Sequence, residues 1–94
     1  MDQIELDGRF WQSAEDFYLA YLCAVGAPTW HGHNLDALWD SLTGGDINGR
    51  NPPLRIRIVG LDQMRKDSRE MVQRFAGLVN EAKAQGQQVE IELA

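Results

Sequence analysis

Two aspartates and a tryptophan in the first half of the chain have the types and the spacing of residues that do chemistry. Asp36, Trp39 and Asp40 stand at i, i+3 and i+4, so that in a helix their side chains share one face. Like charges at i and i+4 destabilise a helix by roughly 0.2–0.5 kcal/mol. Asp40 also lies beyond the first turn, where the helix dipole would favour a carboxylate. A carboxylate pair kept at this cost indicates either a solvated face, with Trp39 at the edge of the core, or a function.

Three functions are open to such a pair. The carboxylates could act as general acid and base, ligate a metal ion, or bind the cations of a partner protein with Trp39 as an aromatic anchor. Hydrolysis by Asp36 and Asp40, with magnesium, is disfavoured because no nearby cluster supplies an electrophile. Zinc or manganese bound by His31, His33 and Asp36 is disfavoured because two histidines one residue apart in a glycine-containing loop are a weak metal signal. We expect no catalytic residue, no metal and no cofactor, and partner binding is the main hypothesis.

The residues around the pair predict the helix that would present it. Asn34 is a good N-cap, because its side-chain oxygen can accept a hydrogen bond from a free backbone N–H group of the first turn. Gly44 ends the segment, so that 34–43 should be helical. Three leucines form a single apolar stripe that can face a core: Leu35, Leu38, Leu42. The helix should therefore have a leucine face that holds it on the domain and an acidic face that is left to bind.

The remaining elements follow from hydrophobic periodicity. Alternating residues predict strands at 3–7, 54–59 and 89–93, whereas apolar residues at helical spacing predict helices at 13–25 and 67–85. Ser13 with Asp16 resembles a capping box, Gly86 should close the last helix, and turn-forming residues predict a loop at 44–53. The order β-α-α-β-α-β predicts an α/β fold, a small and mainly parallel three-stranded sheet packed against helices. We expect a single domain, 1–94, whose spatial strand order stays open.

Charge is divided unevenly between the two halves of the chain. The net charge is −5, but residues 1–49 carry eight carboxylates against one arginine, whereas residues 50–94 carry six carboxylates against eight cations. An acidic field of this kind repels the phosphates of nucleic acids and attracts cationic proteins. We therefore expect a cationic protein partner and no nucleic-acid partner.

The chain carries no signal for export or membrane insertion. No apolar run approaches the ~18 residues that a membrane span needs, and the start MDQIELDG lacks the features of a signal peptide. We expect a cytoplasmic protein without a membrane partner. Cys23 is the only cysteine, so no intramolecular disulfide can form. Its place in an apolar helical pattern predicts a small, buried side chain.

One segment resembles a known family. The stretch PTWHGHNLDALWDSLTG, residues 28–44, is similar to the binding loop and second helix of the barstar family, the intracellular inhibitors of barnase-type, guanyl-specific ribonucleases. Its most specific part is NLDALWD at 34–40, and the element order and EAKAQG at 81–86 extend the similarity along the chain. The resemblance implies a barstar-like domain that is not an enzyme. It would occlude the active site of a small, cationic, extracellular ribonuclease in a 1:1 complex, and we expect a monomer when it is free.

The resemblance also implies which residues touch the ribonuclease. Asp40 matches the aspartate that enters the active site and stands in for the substrate phosphate, where it can pair with cationic side chains. Trp30 takes the place of a tyrosine that packs on the partner, and Glu81 matches a peripheral acidic contact. The other implied contacts keep the family's residue type: Gly32, Asn34, Leu35, Asp36, Trp39, Thr43, Gly44.

The chain departs from the family pattern at the rim of this surface. His31 replaces a common tyrosine, His33 an acidic residue, Gly45 an aromatic residue and Gln85 a second acidic contact. These changes remove negative charge and aromatic area, so the resemblance does not identify the cognate ribonuclease. The alternative hypothesis is an immunity protein that uses the same helix against a different bacterial toxin nuclease.

Overall fold

The computed structural model describes residues 2–26, 34–43 and 54–94. Its elements are β1 (Asp2–Asp7), α1 (Ala14–Val25), α2 (Leu35–Thr43), β2 (Leu54–Val59), a 3₁₀ turn (Leu61–Gln63), α3 (Lys66–Ala84) and β3 (Val89–Leu93). The predicted order β-α-α-β-α-β is confirmed, and every predicted boundary of these helices and strands lies within one residue of the observed one. The predicted loop at 44–53 lies outside the described residues.

The three strands form a parallel sheet in the order β1-β2-β3, with β2 at its centre. Both crossovers move across the sheet in the same direction, and right-handed crossovers that do so place their helices on the same face. The burial of β2 agrees with this topology, because Leu54, Ile56 and Ile58 are buried whereas Arg55 and Arg57 between them face the opposite side. The predicted parallel α/β fold is confirmed, with its described helices on one side of the sheet.

The other face of the sheet carries a row of ion pairs. Arg57 on the central strand contacts Glu5 on β1 and Glu92 on β3, each at 2.9 Å, and the three residues are direct neighbours in the strand register. Arg55 and Glu90 form a longer pair at 3.9 Å. Parallel sheets are usually covered on both faces. This charged row allows the face opposite the described helices to stand in water, where Glu5 and Glu92 are exposed and Arg57 is partly exposed.

Helices α1 and α3 build the core from an aromatic cluster. Phe17 and Tyr21 of α1 stack with their ring centroids 5.8 Å apart, and both contact Phe75 of α3, at 5.0 and 4.9 Å. Trp11 closes one side of the cluster by packing edge-on against Phe17. Aromatic pairs of this kind are worth about 0.5–1.5 kcal/mol each beyond the area they bury. The cluster therefore fixes α1 on α3, and α2 packs against α3 in turn.

The start of α1 differs from the predicted capping box. The Ser13 hydroxyl makes no capping hydrogen bond, although Ser13 is the residue before the helix. The Asp16 carboxylate accepts a hydrogen bond from the backbone N–H of Gln12 at 2.7 Å. The predicted box is therefore wrong in its partners, because Asp16 bonds the residue that precedes Ser13.

The end of α3 forms as predicted. Gly86 has a φ of 98°, in the left-handed region that favours glycine. The N–H groups of Gly86 and Gln87 donate to the carbonyls of Lys83 and Ala82, at 3.0 and 3.1 Å. These two bonds form a Schellman motif, so the predicted cap is confirmed.

The prediction that Cys23 is buried is wrong, because its side chain is exposed. Cys23 lies about 200° around the helix from both Tyr21 and Val25, which are buried. Ala20 and Ala24 are only partly buried, at the edge of the core. The core face of α1 is formed by five residues: Phe17, Tyr18, Tyr21, Leu22, Val25.

Candidate functional site

Helix α2 is the element predicted to bind, and Asn34 caps its start. The Asn34 side-chain oxygen accepts a hydrogen bond from the backbone N–H of Ala37 at 2.8 Å. Its backbone carbonyl accepts the first helical bond, from the N–H of Leu38, at 3.2 Å. These are the bonds of an N-cap residue, so the predicted cap is confirmed. The side-chain NH₂ group of Asn34 donates to no described residue, and its two donors can bind a partner.

The two faces of α2 are less distinct than predicted. Leu38 is fully buried, and Leu35 is partly buried against the same core. Asp36 is exposed, and no described residue forms an ion pair or a side-chain hydrogen bond with it. Trp39, which was predicted to share a face with Asp36, is half-buried and packs against the edge of the core. Only part of Trp39 is therefore available to a partner, and core packing holds that part in place.

Several predicted contacts fall partly or wholly outside the described residues. Asp40 lies in α2 one turn after Asp36, and Thr43 is the last residue of the helix. The side chains of Asp40 and Thr43, and that of Leu42 in the predicted leucine stripe, are outside the described part. The remaining loop residues of the predicted site and its rim are outside it altogether: Trp30, His31, Gly32, His33, Gly44, Gly45.

Glu81 is the one predicted contact that does not lie on or next to α2 in the sequence. It is exposed near the end of α3, and Gln85, which replaces a second acidic contact, is exposed directly after that helix. Because α3 packs against α2, the two helices that carry predicted contacts are neighbours. The structure thus brings Asn34, Leu35, Asp36 and Trp39 together on one helix and Glu81 onto the adjacent one.

A second exposed surface falls outside the predicted site. Phe10 is 81% exposed, and the Arg9 guanidinium lies 5.4 Å from the centroid of its ring. Arg9 also forms a 2.8 Å ion pair with Asp7, and its side-chain and backbone hydrogen bonds lower the pKa of the Asp7 carboxyl. The sequence signal for this surface is the pair of adjacent aromatic residues Phe10 and Trp11 at the turn that follows β1, of which only one faces the core. Trp11 is the one that does.

Clusters that could hold a metal ion and helices that could cross a membrane are both absent from the described ranges. Residues 2–26, 34–43 and 54–94 contain no group of three or more histidine, cysteine, aspartate or glutamate side chains that could hold a metal ion. The helices of these ranges include none that is both long enough and apolar enough to cross a bilayer. The alternative metal site at His31, His33 and Asp36 has both histidines outside these ranges, so it stays an untested hypothesis.

The full sequence, residues 1–94, was compared with curated proteins and with models of protein families. The curated proteins contain no match to it. A family model described as Barstar (barnase inhibitor) matches residues 1–94. The match extends the resemblance seen at 28–44 and 81–86 to every described element of the fold. The chain belongs to the barstar family of barnase inhibitors.

Proposed function

We propose that this chain inhibits a small, secreted, guanyl-specific ribonuclease by covering its active site with α2 and the loop that precedes it. The observation that carries the proposal is the match of the barstar family, a family of barnase inhibitors, to the full length of the chain. Members of this family are inhibitors and not enzymes. The chain would act in the cytoplasm, in a 1:1 complex, without a catalytic residue or a cofactor.

The way α2 is held supports this proposal. Leu38 is fully buried, Trp39 packs on the core, and Asn34 caps the first turn. A helix that is fixed before the partner arrives loses little conformational entropy when it binds. The Asp36 carboxylate is exposed and has no ion-pair partner among the described residues, so its charge is available to a cationic protein. These features suit a preformed acidic surface.

Asp40 has the main electrostatic role in the proposal. Its carboxylate takes the place of the substrate phosphate among the arginine, lysine and histidine side chains that a ribonuclease needs for cleavage. Asp36 and Asp40 are one turn apart in α2, and their mutual repulsion weakens the free helix slightly. Partner cations would relieve that repulsion. The like-charged pair is then a binding feature retained at a small cost in stability.

The test measures binding of a purified barnase-type ribonuclease by calorimetry and the inhibition of RNA cleavage. Asp40→Ala should weaken binding by several kcal/mol, since truncating a buried charge pair costs about 2–5 kcal/mol, a range to which the barnase–barstar pair itself contributed. Asp62→Ala is the matched control, because it removes an exposed carboxylate on the 3₁₀ turn. The control should leave the affinity nearly unchanged, and thermal unfolding should show both variants folded.

Each alternative outcome has a distinct meaning. Equal affinity of the parent chain and Asp40→Ala would contradict the role of Asp40 as a phosphate mimic. Inhibition of another bacterial toxin nuclease, without inhibition of the barnase-type enzyme, would support the immunity-protein hypothesis instead. RNA cleavage by the chain itself, abolished by Asp40→Ala, would overturn the inhibitor proposal.

A further inference from the structure

A depression in the surface lies where β1 and β2 end. It encloses about 230 Å³ and is lined by residues that follow these two strands: Arg9, Phe10, Trp11, Gln12, Gln63, Arg65. In α/β proteins, ligands bind in crevices at the carboxyl ends of parallel strands. Four of the six lining side chains are charged or carry an amide, and the other two are aromatic. The depression therefore combines polar and flat apolar surface.

The backbone around the depression is fixed by close contacts. The N–H of Gly8 donates to the carbonyl of Val59 at 2.9 Å, which joins the two segments that follow the strands. Gly60 has a φ of +86°, and a Cβ at this position would lie 2.9 Å from the backbone nitrogen of Arg9. The Arg69 guanidinium donates to three carbonyls of the second segment: Leu61, Asp62, Met64. The depression is thus preformed.

Arg65 provides a positive charge that no described residue uses. It is exposed, and its guanidinium has no ion pair or hydrogen bond within the described ranges. By contrast, Arg9 is held by Asp7 at 2.8 Å, and Lys66 lies 4.0 Å from Glu70. An exposed guanidinium whose N–H donors are not used by described residues is suited to a phosphate, which it can bind through two parallel N–H donors.

Phe10 provides flat apolar surface next to this charge. It is 81% exposed, more than Leu19, the other large apolar side chain that is strongly exposed among the described residues, at 54%. Arg9 covers one part of the ring, at 5.4 Å from its centroid. Trp11, which also lines the depression, is nearly buried. An exposed ring that adds nothing to the core is available to stack on the ring of a ligand.

We propose that this depression binds a nucleoside monophosphate, with the base on the Phe10 ring and the phosphate on Arg65. The amides of Gln12 and Gln63 both donate and accept hydrogen bonds, so they can bond the polar edge of a base. The volume is below the roughly 300–1,000 Å³ of pockets that enclose a whole drug-sized ligand. One nucleotide would therefore be held with part of it in solvent. The acidic first half of the chain repels the many phosphates of a strand, which favours a free nucleotide over RNA.

The depression is separate from the surface proposed to bind the ribonuclease. Arg65 precedes α3 and Glu81 lies near its end, so the two residues are about 24 Å apart along the helix axis, at 1.5 Å per residue. Nucleotide binding does not depend on the proposed inhibitor function. Failure of either proposal leaves the other standing.

The test titrates the full chain with AMP, GMP, adenosine and inorganic phosphate and follows backbone amide NMR shifts. AMP and GMP should bind about tenfold more tightly than adenosine or phosphate, because one charge-assisted hydrogen bond contributes about that factor. Arg65→Gln and Phe10→Ser should each weaken nucleotide binding about tenfold. Lys66→Gln and Leu19→Ser are the matched controls, since they remove the same charge and a similar apolar side chain outside the depression. Each should change the affinity by less than about twofold at physiological ionic strength.

Shifts confined to residues 8–12 and 60–65, with an affinity about tenfold weaker in both test variants and nearly unchanged in both controls, would support the proposal. Phosphate that binds as tightly as AMP, or equal losses in Arg65→Gln and Lys66→Gln, would overturn it in favour of non-specific charge. Tighter binding of a short oligoribonucleotide than of AMP would overturn the choice of a free nucleotide. A peptide with aspartate next to phenylalanine that binds where AMP does not would identify a protein-docking surface instead.

Discussion

At the scale of single residues, Ser68 is a polar group that the fold buries without a partner. Its hydroxyl is completely buried in the first turn of α3 and has no hydrogen bond within the described ranges. A helical serine can bond the carbonyl four residues earlier, which here is that of Met64. That carbonyl accepts instead from the Arg69 guanidinium at 3.3 Å. The Arg69 guanidinium, which holds the 3₁₀ turn through this and two other carbonyls, thus occupies the acceptor that the Ser68 hydroxyl could have used.

Ser68→Ala should therefore stabilise the protein. An unpaired buried hydroxyl costs about 1–3 kcal/mol, and alanine also has the higher helix propensity, so the free energy of unfolding should rise by about 1 kcal/mol. Urea denaturation followed by circular dichroism measures the change. A loss of stability would show that the hydroxyl is bonded in solution and that our account of this residue is wrong.

At the scale of elements, the caps of α1 and α2 differ although both positions have favourable residue types. Asn34 bonds the Ala37 N–H at 2.8 Å, whereas the Ser13 hydroxyl makes no capping bond. Asn34→Ala should lower the free energy of unfolding by about 1 kcal/mol, and Ser13→Ala should lower it by clearly less. The two variants serve as each other's control in one denaturation series. Equal losses would contradict the difference between the caps.

The helices and strands could be predicted where their signals are local in the sequence. The side of each helix that packs against the core could not. The alternation of Leu54, Ile56 and Ile58 determines β2 to the residue, and the cap at Asn34 follows from its own side chain. The exposure of Cys23 and the partial burial of Trp39 depend on how each helix is rotated against the core, which the periodicity alone left uncertain.

The same distinction applies to the candidate sites. The acidic face of α2 could be proposed because its residues are close in sequence, and their roles came from the family resemblance. The depression could not be predicted, because Phe10 and Arg65 are 55 positions apart in the sequence and come together only through the pairing of β1 with β2. Sites assembled by strand pairing require the strand order, which the sequence left open.

At the scale of the whole molecule, the strand order gives the two sides of the sheet different surfaces, one packed against helices and the other covered by charged side chains. Because β1, β2 and β3 follow one another across the sheet, the described helices share one side and the other side is left to ion pairs. The row Glu5, Arg57 and Glu92 holds one positive and two negative charges in contact, so its net charge is only −1. Asp36 on α2 is different, since it is exposed and has no ion-pair partner among the described residues, so that its field extends into solvent. The net negative charge of the first half is therefore the part of the molecule that can act at a distance.

This long-range field predicts how association with the proposed ribonuclease depends on salt. Residues 1–49 carry eight carboxylates against one arginine, and such a field should steer a cationic protein toward α2. Raising the ionic strength from about 10 mM to 1 M shortens the Debye length from about 30 Å to 3 Å. The association rate should then fall by about 10- to 1,000-fold, as in steered pairs that include barnase and barstar, while the dissociation rate changes little. Stopped-flow fluorescence measures both rates. An association rate that does not depend on salt would show that the acidic half binds through local contacts alone.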